Sequence, residues 1–226
     1  LVLEAARRAL QDAGYDVRPF PRARTGVIVG VGGGIGDLGQ RYIVRAALPS
    51  YVEPVPETLL ERLPEWTEDS FAGIILNVAA GRVANRLDLG GVNYAVDAAC
   101  ASSLAALYAA LRELESGAAD MMLVAGADTV QNPFGYLCFA KTRALSPRGR
   151  CRPFDETADG IVISEGVAVV VLKRLADAER DGDRIYAVIK AVGGSSDGRD
   201  RSMTAPRPEG QLLALERAYR AAGIAP

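Results

Sequence analysis

Short apolar runs at residues 25–30, 92–96, 121–125, 167–172 and 185–192 alternate with stretches in which apolar residues recur every three or four positions. That alternation predicts an α/β fold, because strands and amphipathic helices in turn along a chain must pack helix on sheet to bury their apolar faces. Helices are predicted over 1–13, 70–87, 100–116 and 209–222. In the first of them Leu3, Ala6, Leu10 and Ala13 share one face, and Gly14 stands where the helix should stop. Residues 49–64 carry four prolines and cannot form a helix throughout, so they read as a surface excursion.

The chain has 226 residues, enough for one large domain or two small ones, and neither an internal repeat nor a linker-like shift in composition divides it. With 26 basic and 28 acidic residues the net charge is −2, which gives no field toward nucleic acid or an anionic membrane. The strongest apolar stretch, residues 166–172, is far shorter than the roughly 20 residues of a membrane helix. Three cysteines without a C-x-x-C pair argue against a disulfide framework or a zinc site, and a reducing, cytoplasmic setting is expected. No targeting signal opens the chain, which starts directly in a helix and stops at Ala-Gly-Ile-Ala-Pro; both ends read as those of an excerpt.

Histidine is absent altogether. No Ser-His-Asp or Cys-His pair, imidazole metal ligand or imidazole base can come from this chain.

Two motif matches are weak. Gly34-Ile35-Gly36-Asp37-Leu38-Gly39 satisfies G-x-G-x-x-G after a strand, but glycine is abundant and no acid-ended strand follows about 20 residues on, so a flexible turn is the simpler reading. Gly194-Ser195-Ser196-Asp197-Gly198 satisfies G-x-S-x-G, but the polar, proline-broken stretch after it offers no helix to build a nucleophile elbow.

A third pattern has a mechanism. In YAVDAACASSLAALYAALRELESG an apolar strand runs into a helix with Cys100 at the junction. A thiol in the first helical turn faces unpaired N–H groups and the positive end of the helix dipole, which favour a sulfur anion. Ala98, Ala99 and Ala101 leave room for a substrate carbonyl, Asp97 can cap the helix, and Leu104, Leu107, Leu111 and Leu114 are expected to form its buried face. The local pattern is equally compatible with Cys100 as a small buried apolar residue.

An ordered series of motifs extends along the chain: NVAAGRVANRLDLGGVNYAVDAACASSLAAL, ADMMLVAGAD, KTRALSPRGRCRPFDETADGIVISEGVAVVVLKRL and TAPRPEGQ. The series resembles the β-ketoacyl synthases of the thiolase-like superfamily, and the wording VDAACASS is most similar to the iterative polyunsaturated-fatty-acid type of polyketide synthase. Ala101 departs from the serine that many modular members carry. The resemblance implies a thiolase-like α-β-α-β-α layered fold, truncated at both ends. Residues 1 to about 175 would be an N-terminal half without its first strand, a strand that family topology places in mid-sheet, and about 183–226 the start of a C-terminal half.

The resemblance also implies a chemistry. Cys100 accepts an acyl group from a thioester, and the acyl-enzyme then condenses with a carbanion made by decarboxylating malonyl-carrier protein. The family's two histidines and lysine for the second step would lie beyond this sequence. Asp97, Ala101, Phe139, Ala140, Asp159 and Glu165 become pocket or supporting residues. Phe139 and Ala140, with Cys138, align with a gating region, and Asp159 and Glu165 join Phe154 and Asp155 in a loop near the acyl pocket. A purely structural role for Asp159 and Glu165, through turns and backbone hydrogen bonds, is the favoured reading of those two. No cofactor or metal is expected on the chain itself; the phosphopantetheine arm of an acyl carrier protein would bring the substrates, and the edge strand before Cys100 would pair with a second copy in a homodimer. The alternatives are a non-catalytic half-domain for dimerisation or carrier docking, and a thiolase that joins acyl groups without decarboxylation.

Overall fold

Every residue of Thr25–Gly30 (β1) is buried, because this strand has a neighbour on both sides. It pairs in parallel with Asn93–Val96 (β2), from Val27↔Asn93 to Gly30↔Val96, and in parallel with Met121–Asp128 (β3), from Thr25↔Met121 to Gly30↔Gly126. Gly166–Leu172 (β4) runs antiparallel on the far side of β3, with Gly166 opposite Asp128. The order is β2-β1-β3-β4, with β2 at one edge. The mid-sheet gap implied by the resemblance is not there, since β1 and β3 bond directly along six residues.

The period-2 alternation of the strands sorts their side chains into two cores. On one face Val27, Val29, Met121, Leu123 and Ala125 meet helices Val2–Asp12 (α1) and Val78–Leu87 (α5) through Ala6, Leu10, Ala80 and Val83. On the other, Ile28, Met122 and Val124 meet Ser102–Glu115 (α6) through Ala106, Ala110 and Leu114. Each fully buried Val, Leu, Ile or Met contributes about 1.5–3 kcal/mol by leaving water. Helix, sheet and helix therefore form three layers in the unit Leu1–Leu172.

The structure is a computed structural model that describes residues 1–32, 36–199 and 205–225. Before α5, Gly36–Ala47 (α2) follows β1, and a single helical turn at Glu57–Leu60 (α3) lies in the proline-rich excursion. Glu68–Ile74 (α4) opens on a capping box between Thr67 and Ser70. Tyr42 of α2 stacks on Trp66 with centroids 4.5 Å apart and accepts a hydrogen bond from Ser70 Oγ at 2.9 Å; Arg45 donates to the Leu60 and Leu63 carbonyls. The excursion is thus pinned to α2. Pro133–Lys141 (α7) follows β3.

The second unit, Lys173–Pro226, holds Leu175–Arg180 (α8) and Pro208–Ala222 (α9). Lys173 Nζ, 6% exposed, sits between Asp181 and Asp183 at 2.5 Å from each. Residues 193–195 lie along α9: Arg217 donates to the Gly194 carbonyl at 2.7 Å and Ser195 Oγ to that of Gly210 at 2.5 Å.

Several expectations change. The helix predicted over 70–87 is two, because the backbone at Ile75 is extended (ψ 117°) between α4 and α5. Residues 185–192 form no strand, since none among the described residues lies alongside to receive their backbone groups, and Ile185, Tyr186, Val188 and Ile189 are exposed. Gly34 and Ile35 lie outside the described residues, while Gly36 to Gly39 open α2. No helix begins at Ser196.

The largest correction concerns α6. Its buried residues are Ser102, Ala106, Ala110 and Leu114, whereas Leu104 is 60% exposed and Leu107 and Leu111 are half-buried. Small residues face the sheet because the helix crosses it very closely. A Cβ placed on Gly30 would run into the backbone of Ser102 and stand 2.6 Å from the Ser103 nitrogen.

Candidate functional site

The parallel strands β1, β2 and β3 all point their C-terminal ends, and hence the loops after them, to one edge of the sheet, the usual place for sites in α/β folds. After β2 that loop is a tight turn. Asp97 Oδ1 accepts the Ala99 N–H at 2.9 Å, and Ala99 takes the left-handed conformation (φ 49°). Ser102 Oγ accepts the Ala98 N–H at 2.9 Å and donates to the Ala99 carbonyl at 2.6 Å. A non-glycine residue with positive φ stores strain, which neighbouring hydrogen bonds must hold in place.

Cys100 stands on this turn and is exposed. It does not lie in the first helical turn, as the sequence suggested: α6 begins at Ser102, and its N-cap is Ala101, which has no side-chain oxygen to cap the helix. Nor does Asp97 cap α6; its carboxylate closes the turn and packs over Gly32. The reading of Cys100 as a buried apolar residue is excluded by its exposure. What remains is an accessible thiol on a strained strand-to-helix turn, next to a helix N-terminus without a side-chain cap. Such a sulfur can attack an electrophilic carbon, and the nearby N–H groups can receive the charge that develops on its oxygen.

Ser102 was not legible as a site residue. The available signal was a serine two positions after the cysteine, at the helix start, where a short hydroxyl side chain bonds readily to local backbone.

Residues 129–165 leave the sheet after Asp128 and return at Gly166, its register partner, so this excursion begins and ends at the same edge as Cys100. Within it, Phe139 and Ala140 lie on α7, and Ala140 lines an open apolar depression with Pro133, Tyr136, Leu137 and Leu145. Cys138 is exposed on the same helix. Asp159 accepts a 2.6 Å hydrogen bond from Ser146 Oγ and pairs with Arg152 at 2.9 Å and Arg148 at 3.1 Å. The Ser146 hydroxyl, followed by the two guanidinium groups, holds its carboxyl below the ordinary range against the opposing effect of burial. Glu165 Oε1 accepts the Gln131 N–H at 3.1 Å.

Phe154 has a φ of 64° and is fully exposed, while Asp155 accepts the Thr157 N–H and hydroxyl, both at 2.7 Å. Cys151 is exposed, and its sulfur accepts the Val162 N–H at 2.9 Å. Cys100, Asp97 and Ala101 are therefore gathered on one turn. Asp159 and Glu165 bind their own excursion together, and Phe139 and Ala140 share α7. A second apolar depression, lined by Val31, Phe71, Ile74, Ile75, Leu76 and Ala95, also includes Asp97. Among the described residues no group of three metal-ligating side chains occurs, and no helix is long and apolar enough to cross a membrane.

Known proteins are similar to this chain in sequence and in fold. Residues 1–178 match the family model described as the β-ketoacyl synthase N-terminal domain. A polyunsaturated fatty acid synthase polypeptide of a Thraustochytrium species is 41% identical over 97% of this chain, and a phenolphthiocerol/phthiocerol polyketide synthase polypeptide of Mycobacterium tuberculosis is 38% identical over all of it. The chain spans only 8% and 11% of those two relatives' lengths. A ketosynthase from module 6 of the bacillaene synthase of Bacillus subtilis superposes with a TM-score of 0.79 at 30% identity, covering 99% of this chain and 35% of that one. A β-ketoacyl synthase from Burkholderia phymatum gives 0.81 at 27% identity, covering 99% and 52%. The mixed α/β architecture is that of the thiolase-like ketosynthases, and the chain belongs to the β-ketoacyl synthase family.

Proposed function

We propose that this chain is the acyl-accepting part of a ketosynthase domain in a polyketide or polyunsaturated-fatty-acid synthase, with Cys100 as its nucleophile. The observation that carries the reading is the exposed Cys100 thiol on the turn ordered by Asp97 and Ser102. Its thiolate attacks the carbonyl of an acyl thioester, a new C–S bond forms, and the thiol of the delivering phosphopantetheine arm leaves with the proton. One thioester replaces another, so little energy is lost and the acyl group stays activated. The Cys100 N–H serves as an oxyanion donor during the exchange.

Condensation follows in the complete domain: decarboxylation of a malonyl thioester on its carrier protein releases carbon dioxide, and the resulting carbanion displaces the Cys100 sulfur from the acyl carbonyl. The family's histidines for that step are not among these 226 residues, which contain none. We read residues 1 to about 175 as the N-terminal half of the domain and about 183–226 as the start of the second. The outer edge of β2 has no strand partner among the described residues; it pairs with the β2 of a second copy in a homodimer, which also covers an otherwise aggregation-prone edge.

Limiting alkylation tests the nucleophile, because all three cysteines are exposed and access alone does not separate them. With substoichiometric iodoacetamide and peptide mapping, Cys100 reacts first. Preferential labelling of Cys138 or Cys151 contradicts the assignment and favours a non-catalytic docking or dimerisation module.

A further inference from the structure

Ile28, Gly30 and Gly32 lie on the face of β1 and its extension that carries α6, and Val27, Val29 and Val31 lie on the other, as period-2 alternation requires. The Val31 N–H bonds the Val96 carbonyl at 3.1 Å, so the extension stays paired with β2 up to the residue before Asp97. Side chains on the α6 face thus shrink from isoleucine to nothing as the strand nears the Cys100 turn. Gly126, the register partner of Gly30 on β3, continues this bare floor, since a Cβ there would stand 2.9 Å from that of Ser103.

The three glycines differ in what a side chain would displace. At Gly30 it meets the backbone of Ser102 and Ser103, and at Gly126 the Ser103 side chain. At Gly32 it would stand 2.5 Å from Asp97 Oδ1 and 2.8 Å from Asp97 Cγ. Oδ1 is the atom that accepts the Ala99 N–H at 2.9 Å. The Gly32 backbone is not left-handed, so an alanine is conformationally allowed there and its effect falls on the carboxylate. Asp97 is exposed, so a displaced carboxylate swings into water at little cost to the fold. What is lost is the hydrogen bond that holds the left-handed Ala99, directly before Cys100.

We propose that Gly32 is a positioning residue for acyl transfer: the space where its side chain would be seats the Asp97 carboxylate on the Ala99 N–H, and the turn so fixed aims the Cys100 thiol and N–H at one carbonyl. The proposal rests on the reading of Cys100 as the acyl acceptor and adds a residue, beyond the end of a different strand, that holds it. At position 32 glycine leaves room for a carboxylate of the chain itself; it does not cradle a phosphate. A nucleophile and its oxyanion donor must be aligned together, and a displacement of about 1 Å can cost about a hundredfold in rate.

The complete ketosynthase domain is compared with Gly32→Ala, Asp97→Ala and the double variant, using an acyl-pantetheine thioester at saturation and mapping the adduct on Cys100. Each single variant should slow acylation about tenfold or more while its thermal midpoint stays near that of the wild type. The double variant should be no slower than Asp97→Ala, because an alanine at position 32 has nothing to displace once the carboxylate is gone. Hydrogen exchange of the Ala99 amide, which reads the contact without any chemistry at sulfur, should quicken in Gly32→Ala. Acylation of Gly32→Ala at the wild-type rate, losses that multiply in the double variant, or a slowing matched by lost folded protein overturns the positioning role. An unchanged Ala99 exchange rate does so too. Faster exchange in Gly32→Ala, in a domain whose wild type takes no acyl group on Cys100, supports the seating of Asp97 by Gly32 and refutes the nucleophile.

Discussion

The Ser102 hydroxyl fastens both sides of the Ala99 peptide turn, donating to the Ala99 carbonyl at 2.6 Å and receiving the Ala98 N–H at 2.9 Å. Ser102 is itself 6% exposed, so these bonds are made where water competes poorly. A left-handed alanine beside a reactive thiol is thereby held by the first residue of the next helix. Ser102→Ala should cost about 1–3 kcal/mol, since it orphans the Ala98 N–H and frees the turn. Iodoacetamide should also lose its preference for Cys100 over Cys138. An unchanged unfolding midpoint together with an unchanged labelling order would show that the turn does not depend on this hydroxyl.

Close approach of α6 to the sheet gives a second expectation. Gly30→Ala forces the backbone of Ser102 and Ser103 away, and overpacking of this kind costs about 1–3 kcal/mol. Gly166→Ala is the control, because nothing lies within 4 Å of a Cβ there. Chemical denaturation should find the first destabilised and the second near wild type; equal stabilities would mean that the helix start has room to move.

The four strands of the sheet were legible because short apolar runs such as TGVIVG and MMLVAGAD, bounded or interrupted by glycine and rich in valine, are too short for a buried helix and suit a paired strand. The helix after Cys100 was legible as a helix but not in its orientation. Counting leucines assigns Leu104 to the core, whereas the glycine at position 30 admits the helix start so close that the small residues Ser102, Ala106 and Ala110 face the sheet, with Leu114 alone of the four predicted leucines buried. Helix α7 escaped the periodicity argument because FGYLCFA has no polar face to oppose an apolar one. Residues 185–192 misled in the opposite way: Ile185-Tyr186-Ala187-Val188-Ile189 has strong strand propensity, yet propensity without a neighbouring strand does not make a sheet. Of the site, Cys100 was visible from its strand-to-helix junction. Ser102 and the left-handed Ala99 were not, because both act through backbone geometry that composition does not record.

Acid should loosen the excursion between β3 and β4. The Asp159 carboxyl is held below its ordinary value first by the Ser146 hydroxyl and then by Arg152 and Arg148. A carboxyl whose folded value is depressed adds stability that is fully present above its unfolded value, near 3.9, and is lost as the pH falls through the folded value. The difference in thermal midpoint between wild type and Asp159→Asn should therefore be constant near neutral pH and shrink below about pH 4. A difference that persists to the lowest pH at which the protein folds would assign the contribution of Asp159 to shape instead of charge.

The central claim is that Cys100 takes an acyl group from a thioester, and intact-mass spectrometry after exposure to an acyl-pantetheine thioester tests it most directly. One acyl adduct is predicted, mapping to Cys100, released by hydroxylamine and absent in Cys100→Ala but retained in Cys138→Ala and Cys151→Ala. With a malonyl-carrier thioester added, this histidine-free chain alone should form no β-ketoacyl product. Acylation at Cys138 or Cys151 with Cys100 left free, or no adduct on any cysteine, would contradict the account.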